Sequence, residues 1–399
     1  MTDEYANLSV STTTTSEPHD LHSKTTSTSP MSPSSSPHSP SVVVTRHSFQ
    51  SYHQLVKSFF TRGSDREQLL NPFDVTLFHK SSLGKLMLIS DYSNHRVMIC
   101  KAEDGAFVSE IHVKHPHGIC VDEVKGELLA TDCNDHLIKV FRIETGQYVR
   151  NIGKGCGTQN GQFNAPSAIC LDLKNDCMFV SDYGNNRIQK FKYSTGEFIK
   201  SFGNTPNKHV ITNEAVIVEE NQSLKNKERT ILDKPWGLSL DKIEASGIIH
   251  HVLYVCDTKN NCIRLFDSTN GNFIGNAISN AKTVTSHLSN ATPFLKTPYA
   301  VIVDGNRLLI SDSGNHCVKI FTKPRLTMAD PNTLTILKEG YYVDSIGRHN
   351  YIYEEVPSFI QNIKEFPIEF SHNVGMALDS FKGELYVSDC SNHRIQIIK

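Results

Sequence analysis

The chain has 399 residues, a net charge of −2 and 21% charged residues. That length allows two ordinary domains or one large repeat domain. Near-neutral charge gives no general attraction to polyanions and argues against strong non-specific nucleic-acid binding, while leaving room for a local basic patch.

Ten cysteines occur, with no C-x-x-C pair and no regular framework. Cys120, Cys170 and Cys256 fall inside predicted strands, where a free thiol acts as a small hydrophobe. The N-terminal stretch has no apolar run of the signal-peptide kind. No apolar stretch approaches the ~18 residues of a membrane span. Reduced thiols without an export signal predict a protein of the cytosol or nucleus, the cytoplasm being the expected location, with no membrane partner.

In chain order, residues 1–47 are rich in Ser, Thr and Pro. They bury too little apolar surface to offset the entropy of ordering, so a disordered tail is expected. Ser29, Ser32, Ser36 and Ser39 each precede proline. They form either a cluster of proline-directed phosphorylation sites or a solubilising tail with incidental Ser-Pro pairs.

Residues 52–399 read as a second domain. Leu55–Phe59 (LVKSF) matches Phe198–Phe202 (FIKSF) and, more loosely, Phe107–Ile111, Tyr148–Ile152 and Tyr342–Ile346. The later four each end a repeat; the first precedes every repeat. Each repeat opens on a short strand, in most copies entered through a proline: Pro72, Pro116, Pro166, Pro235, Pro298, and the related His372-Asn373-Val374-Gly375. A second strand follows, then an eleven-residue phrase shown most fully by Ser181–Phe191 (SDYGNNRIQKF). Asp182 is expected to bond the turn's own backbone, with Gly184 and Asn185 supplying positive φ. The phrase recurs at Asp91, Asp132, Asp182, Asp257, Asp312 and Asp389.

Four short antiparallel strands per repeat, apolar on both faces, describe a blade packed between neighbours. Radial repetition of such blades gives an all-β, six-bladed β-propeller. The sixth repeat supplies three strands, and Leu55–Phe60 is an orphan fourth. Pairing it with Arg394–Ile398 closes the ring and removes an open edge.

The phrase D-x-x-N-x-R-[IV], after a P-x-G-[IVL] opening, resembles the NHL-repeat family. Asp91/Asn94/Arg96, Asp182/Asn185/Arg187 and Asp389/Asn392/Arg394 match in full. Asp135 and Leu137 depart in the second copy, and Cys262 and Cys317 replace Arg in the fourth and fifth. The resemblance implies a six-bladed propeller used mainly as a binding platform. Some relatives sit beside ubiquitin-ligase modules or bind single-stranded RNA, and a smaller set of similar propellers are metal-dependent lyases or hydrolases. No RING-like Cys/His pattern precedes the repeats, so ligase activity within this chain is not supported.

The repeated Asp, Asn and Arg lie one set per blade, away from the axis, and cannot converge on one ion. A structural role is expected for them, and for the turn histidines His95, His136, His316 and His393. The residue after each opening proline starts an innermost strand at the channel mouth: Phe73, His117, Ser167, Trp236, Tyr299 and, by alignment, Val374. Phe73, His117, Trp236 and Tyr299 are the candidate ligand-binding set, lining a shallow pocket for a peptide side chain, base or small molecule. The competing reading is inter-blade packing, since large aromatics are mostly buried. No catalytic residues, metal ligands or cofactor are expected. Asp122, Asp172, Asp241, Asp304 and Asp379 recur at the far end of the first strand and read as turn residues. Connectivity puts three long insertions, 204–233, 278–296 and 348–370, on the mouth face and the 322–339 insertion on the other. Lys225–Arg229 forms a small basic cluster, read as solvated.

The expected function is a monomeric, non-catalytic scaffold binding a protein or peptide through the insertion-bearing face. Single-stranded RNA binding is the alternative, supported by aromatics beside basic groups. A metal-dependent lyase or hydrolase is the third reading, and it lacks converging ligands.

Overall fold

The computed structural model describes residues 54–204, 231–245, 247–279, 294–330, 333–347 and 368–399. They belong to one compact unit, Gln50–Lys399. The Ser-Pro tail, the interiors of the three mouth-face insertions and Lys225–Arg229 lie outside the described residues.

Six four-stranded antiparallel sheets form the blades. Blade 1 is Pro72–Phe78, Leu86–Asp91, Arg96–Lys101 and Phe107–His112. Blade 2 is Pro116–Asp122, Glu127–Asp132, Leu137–Arg142 and Tyr148–Ile152. Blade 3 is Pro166–Asp172, Cys177–Asp182, Arg187–Lys192 and Phe198–Phe202. Blade 4 is Pro235–Ala245, Ile248–Asp257, Cys262–Asp267 and Phe273–Ile278. Blade 5 is Pro298–Asp304, Arg307–Asp312, Cys317–Thr322 and Tyr342–Ile346. Blade 6 is Asn373–Asp379, Glu384–Asp389 and Arg394–Ile398, completed by Leu55–Phe59.

Closure is as the strand arithmetic requires. Leu55 pairs with Ile398 and Phe59 with Ile395, and Gln54 and Lys399 exchange backbone bonds of 2.9 Å. The insertion after blade 5's third strand folds as a hairpin, Arg325–Asp330 with Thr333–Lys338. Its Leu326, Leu334 and Ile336 pack onto the core between blades 4 and 5.

Strand periodicity explains the core. Successive side chains point to opposite sheet faces, and both faces of each blade meet a neighbour. In blade 5, Leu308 and Ile310 pack against blade 4, whereas Leu309 packs against blade 6. There are six such inter-blade cores, and Phe59 and Phe60 join the one between blades 6 and 1.

The turn phrase works differently from its sequence reading. Each copy except the second forms one 3-10 turn, and the left-handed residue is the one after it: Asn186 at φ 56°, with His95, Asn261, His316 and His393 alike. In the second copy His136 holds the same place at φ 55°. Gly184 and Asn185 do not take positive φ. Gly184 is required by proximity instead: a Cβ there would sit 2.6 Å from the Asn164 carbonyl oxygen. Asp182 does not cap its own turn. Its Oδ1 accepts the Asn164 amide at 2.7 Å, which ties the turn to the loop entering the blade's inner strand. Asp91, Asp257, Asp312 and Asp389 do the same for Leu70, Asp233, Lys296 and Ser371. Only in blade 2 does the aspartate also accept backbone amides of its turn, those of Asn134 and Asp135; in the other blades it accepts the side-chain amide of the turn asparagine, Asn94, Asn185, Asn260, Asn315 or Asn392.

The left-handed residues latch blade to blade. The Nδ1 of His393, His136 and His316 accepts the amides of Asn71, Ala165 and His372, and the Oδ1 of Asn186 and Asn261 accepts those of Lys234 and Thr297. Histidine and asparagine are interchangeable here because both offer an acceptor at that reach.

Each repeat aspartate has a cation. Arg96, Arg187 and Arg394, five residues on, reach Asp91, Asp182 and Asp389 at 2.7–2.8 Å. Where that position is Leu137, Cys262 or Cys317, the cation comes two residues later. Lys139 and Lys319 reach Asp132 and Asp312 at 2.7 Å, and Arg264 pairs with Asp257. Positions two apart share a strand face, so the shifted cation meets the same carboxylate.

Candidate functional site at the channel mouth

Each inner strand starts after a left-handed residue: Asn71, His115, Ala165, Lys234, Thr297 or His372. That backbone turn aims the residue after the proline position at the axis. Three inner strands must then pass very close to the next blade. A Cβ on Gly118 would lie 2.3 Å from the Ser167 carbonyl oxygen, and one on Gly237 2.4 Å from that of Tyr299. The glycine of the opening motif is therefore a clearance residue.

The four candidate residues come together. The Trp236 ring centroid lies 4.8 Å from His117, 4.7 Å from Tyr299 and 5.9 Å from Phe73, the last pair stacked. Phe73 also meets His117 at 5.0 Å. Phe73 belongs to blade 1 and Trp236 to blade 4, which face each other in a six-fold ring. Their contact closes this end of the channel. Trp236 is 8% exposed, while Phe73, His117 and Tyr299 are half-buried. Trp236 is thus the centre of a plug, and the other three form its accessible rim. Val374 packs under the plug, and Ser167 is fully buried with its hydroxyl donating to the Pro235 carbonyl. Trp236→Ala is expected to lower stability by about 3 kcal/mol, read as the shift in denaturation midpoint.

A second ring of mouth residues has no counterpart in the sequence reading. It is the residue after each repeat aspartate. Tyr92 meets Phe73 at 4.7 Å and His117 at 5.1 Å, and Tyr183 meets Trp236 at 5.2 Å. Cys390 packs against Trp236 and Val374. Thr258 donates to the Pro298 carbonyl, and the Ser313 hydroxyl sits 2.9 Å from His372 Nδ1. Cys133 Sγ lies 2.8 Å from His117 Nδ1 and 3.2 Å from the Pro166 carbonyl. Burial, with help from His115, pushes His117 down to about 3. Burial also pushes the Cys133 thiol well up. The pair is a neutral hydrogen bond and not an activated thiolate.

Below the plug lies an axial cavity of ≈170 Å³, bounded by Phe73, Trp236 and Tyr299 above and by inner strands of all six blades. Asp74 points into it. Its Oδ1 accepts the Val75 amide and its Oδ2 the Ile119 amide of blade 2, each at 2.9 Å. Burial pushes its carboxyl up to about 7, against the downward pull of those two bonds. What surface Asp74 shows opens into the cavity. Among the described residues no three His, Cys, Asp or Glu side chains gather as a metal-ion set.

A family model for the NHL repeat matches residues 114–141, the inner three strands of blade 2. That matched repeat is one of six blades in a closed ring: the chain is a six-bladed β-propeller that carries an NHL repeat. The matched copy is the one with Asp135 and Leu137, where Lys139 supplies the missing cation. No curated protein matches the chain. Among solved structures it is similar to an auxiliary nutrient binding protein from Bacteroides thetaiotaomicron, at 13% identity over 87% of this chain and 75% of that one, TM-score 0.51. It is also similar to hydrazine synthase of Kuenenia stuttgartiensis (14% identity, 84% and 97% covered, TM-score 0.47). A third is the β-propeller domain of Cps50 (Swd1) from Myceliophteria thermophila (10% identity, 86% and 98% covered, TM-score 0.47). At these identities the likeness concerns the fold alone. No helix among the described residues is long and apolar enough to cross a membrane.

Proposed function

We propose that this propeller is a non-catalytic scaffold that binds a protein or peptide partner through its mouth face. The observation that supports this most is the gathering of Phe73, His117 and Tyr299, from three blades, as a half-buried rim around Trp236. Large rings held rigidly by neighbours provide contact area at little entropic cost, which is what interface anchors require. The flanks of the three long connections lie on this same face. The neutral Cys133–His117 pair offers no nucleophile, which weighs for binding over catalysis.

Affinity capture from lysate with the full chain tests the reading. Tyr299→Ala is expected to weaken partner retention by about 2 kcal/mol, roughly thirtyfold, with the propeller still folded. Retention should survive nuclease treatment. Loss of every captured partner on nuclease treatment would favour single-stranded RNA, and unchanged retention by Tyr299→Ala would move the site away from the mouth.

A further inference from the structure

We infer that the axial cavity beneath the plug is a receptor for a primary ammonium group, such as the side-chain end of a lysine, held by the Asp74 carboxylate. The inference builds on the mouth-face reading by naming a ligand class for the cavity beneath it.

Three observations carry it. First, Asp74 breaks the rule its own position sets. The equivalent residues of the other inner strands are Gly118, Ala168, Gly237, Ala300 and Gly375, all small. Clearance explains the small residues and gives no reason for a carboxylate. The side chain fits only because blade 6 has Gly375, where a Cβ would lie 2.2 Å from Asp74 Oδ1.

Second, Asp74 lacks what the repeat carboxylates have. Asp91, Asp132, Asp182, Asp257, Asp312 and Asp389 each hold an Arg or Lys. Asp379, at the far end of blade 6's inner strand, pairs with Lys85. Asp74 has two backbone amides and, among the described residues, no cation. A carboxylate oxygen has capacity for further donors, and the free ones here face the cavity.

Third, the cavity suits the group. Its ≈170 Å³ is the space of about six waters. A chain of four carbons and one nitrogen matches that. The walls combine the faces of Phe73, Trp236 and Tyr299 with the axis-facing edges of inner strands. Aromatic surface beside a carboxylate favours an ammonium over a neutral or anionic group. A ligand amine would complete the pairing that every repeat carboxylate already has.

Trp236 is the only tryptophan in the chain, so its fluorescence reports occupancy directly. The test titrates the full chain with n-butylammonium chloride at constant ionic strength, using butan-1-ol and potassium chloride as controls. A saturable change with a millimolar dissociation constant is expected for n-butylammonium alone. Asp74→Asn should weaken it at least tenfold. The unmodified chain should bind about tenfold more weakly at pH 6 than at pH 8, since a protonated Asp74 holds no ammonium, and this arm serves if the variant does not fold. Equal responses to butan-1-ol or potassium chloride, no saturable response, or affinity indifferent to both Asp74→Asn and pH would overturn the inference. The docking reading fails separately: partner capture unchanged by Tyr299→Ala sinks it, while the titration of the unmodified chain still decides the cavity.

Discussion

Deleting residues 1–62 should leave a chain that no longer melts as one cooperative unit, whereas deleting residues 1–47 should leave the melting temperature unchanged. The shorter deletion keeps every described residue. The longer one removes Leu55–Phe59 and with it the ladder to Arg394–Ile398. Ile395, Ile397 and Ile398 are at most 2% exposed in the closed ring. Without the strand they border an open edge whose amides and carbonyls have lost their partners. A handful of backbone bonds at about 1 kcal/mol each, plus re-exposed isoleucine surface at about 25 cal/mol per Å², comes to about 5 kcal/mol or more. The loss also spreads. Phe59 and Phe60 pack into the core between blades 6 and 1, and Leu55 into that between blades 5 and 6. A ring held blade to blade has no other seam, so the opened edge also becomes a site for aggregation. Circular dichroism melts of the two truncations decide the matter. Equal melting would mean that the ring closes without its N-terminal strand.

The architecture was legible because the repeat is written at two levels. The phrase with its aspartate marks each blade, and the orphan Leu55–Phe59 marks the closure. The fourth, fifth and second copies read as weakened because Cys262, Cys317 and Leu137 replace arginine. The compensation was visible two residues on, at Arg264, Lys319 and Lys139, where a strand's period of two predicts the same face. The target of the repeat aspartates was not legible. Asp182 reaches a loop amide eighteen residues earlier, and only the folded blade brings that loop to the turn. Likewise the mouth residues after each proline were found by alignment, while the ring led by Tyr92 and Tyr183 was missed. Its signal was the residue directly after the aspartate, which varies in size from copy to copy while the aspartate does not. Asp74 was missed for a related reason. The opening motif was read for its proline and its first side chain, although the only charged residue at the glycine position stood one place further on.

Replacing Asp74 with asparagine should flatten the pH dependence of stability across the neutral range. The folded-state pKa of Asp74 is raised from 3.8 to about 7. The folded protein therefore holds this proton more tightly than the unfolded chain does. The stabilisation it confers is complete below the unfolded value and is lost as pH rises through about 7, beyond which the loss is constant. Three pH units at 1.36 kcal/mol each bound the full swing at about 4 kcal/mol. Between pH 5.5 and pH 8 the change is about 2 kcal/mol. Among the described residues no neighbouring group confuses the reading. Cys120 is the titratable side chain beside Asp74, and burial drives its thiol upward, so it stays protonated over this window. The informative quantity is a slope, because asparagine offers one acceptor where the carboxylate offers two, and one of the Val75 and Ile119 amides loses its partner at every pH. Urea denaturation of both proteins at pH 5.5 and pH 8 measures it. The variant's stability relative to the parent should rise by about 2 kcal/mol on going to the higher pH. A constant difference would mean that Asp74 titrates in the folded protein as it does in water, and that the cavity it faces is open to bulk solvent.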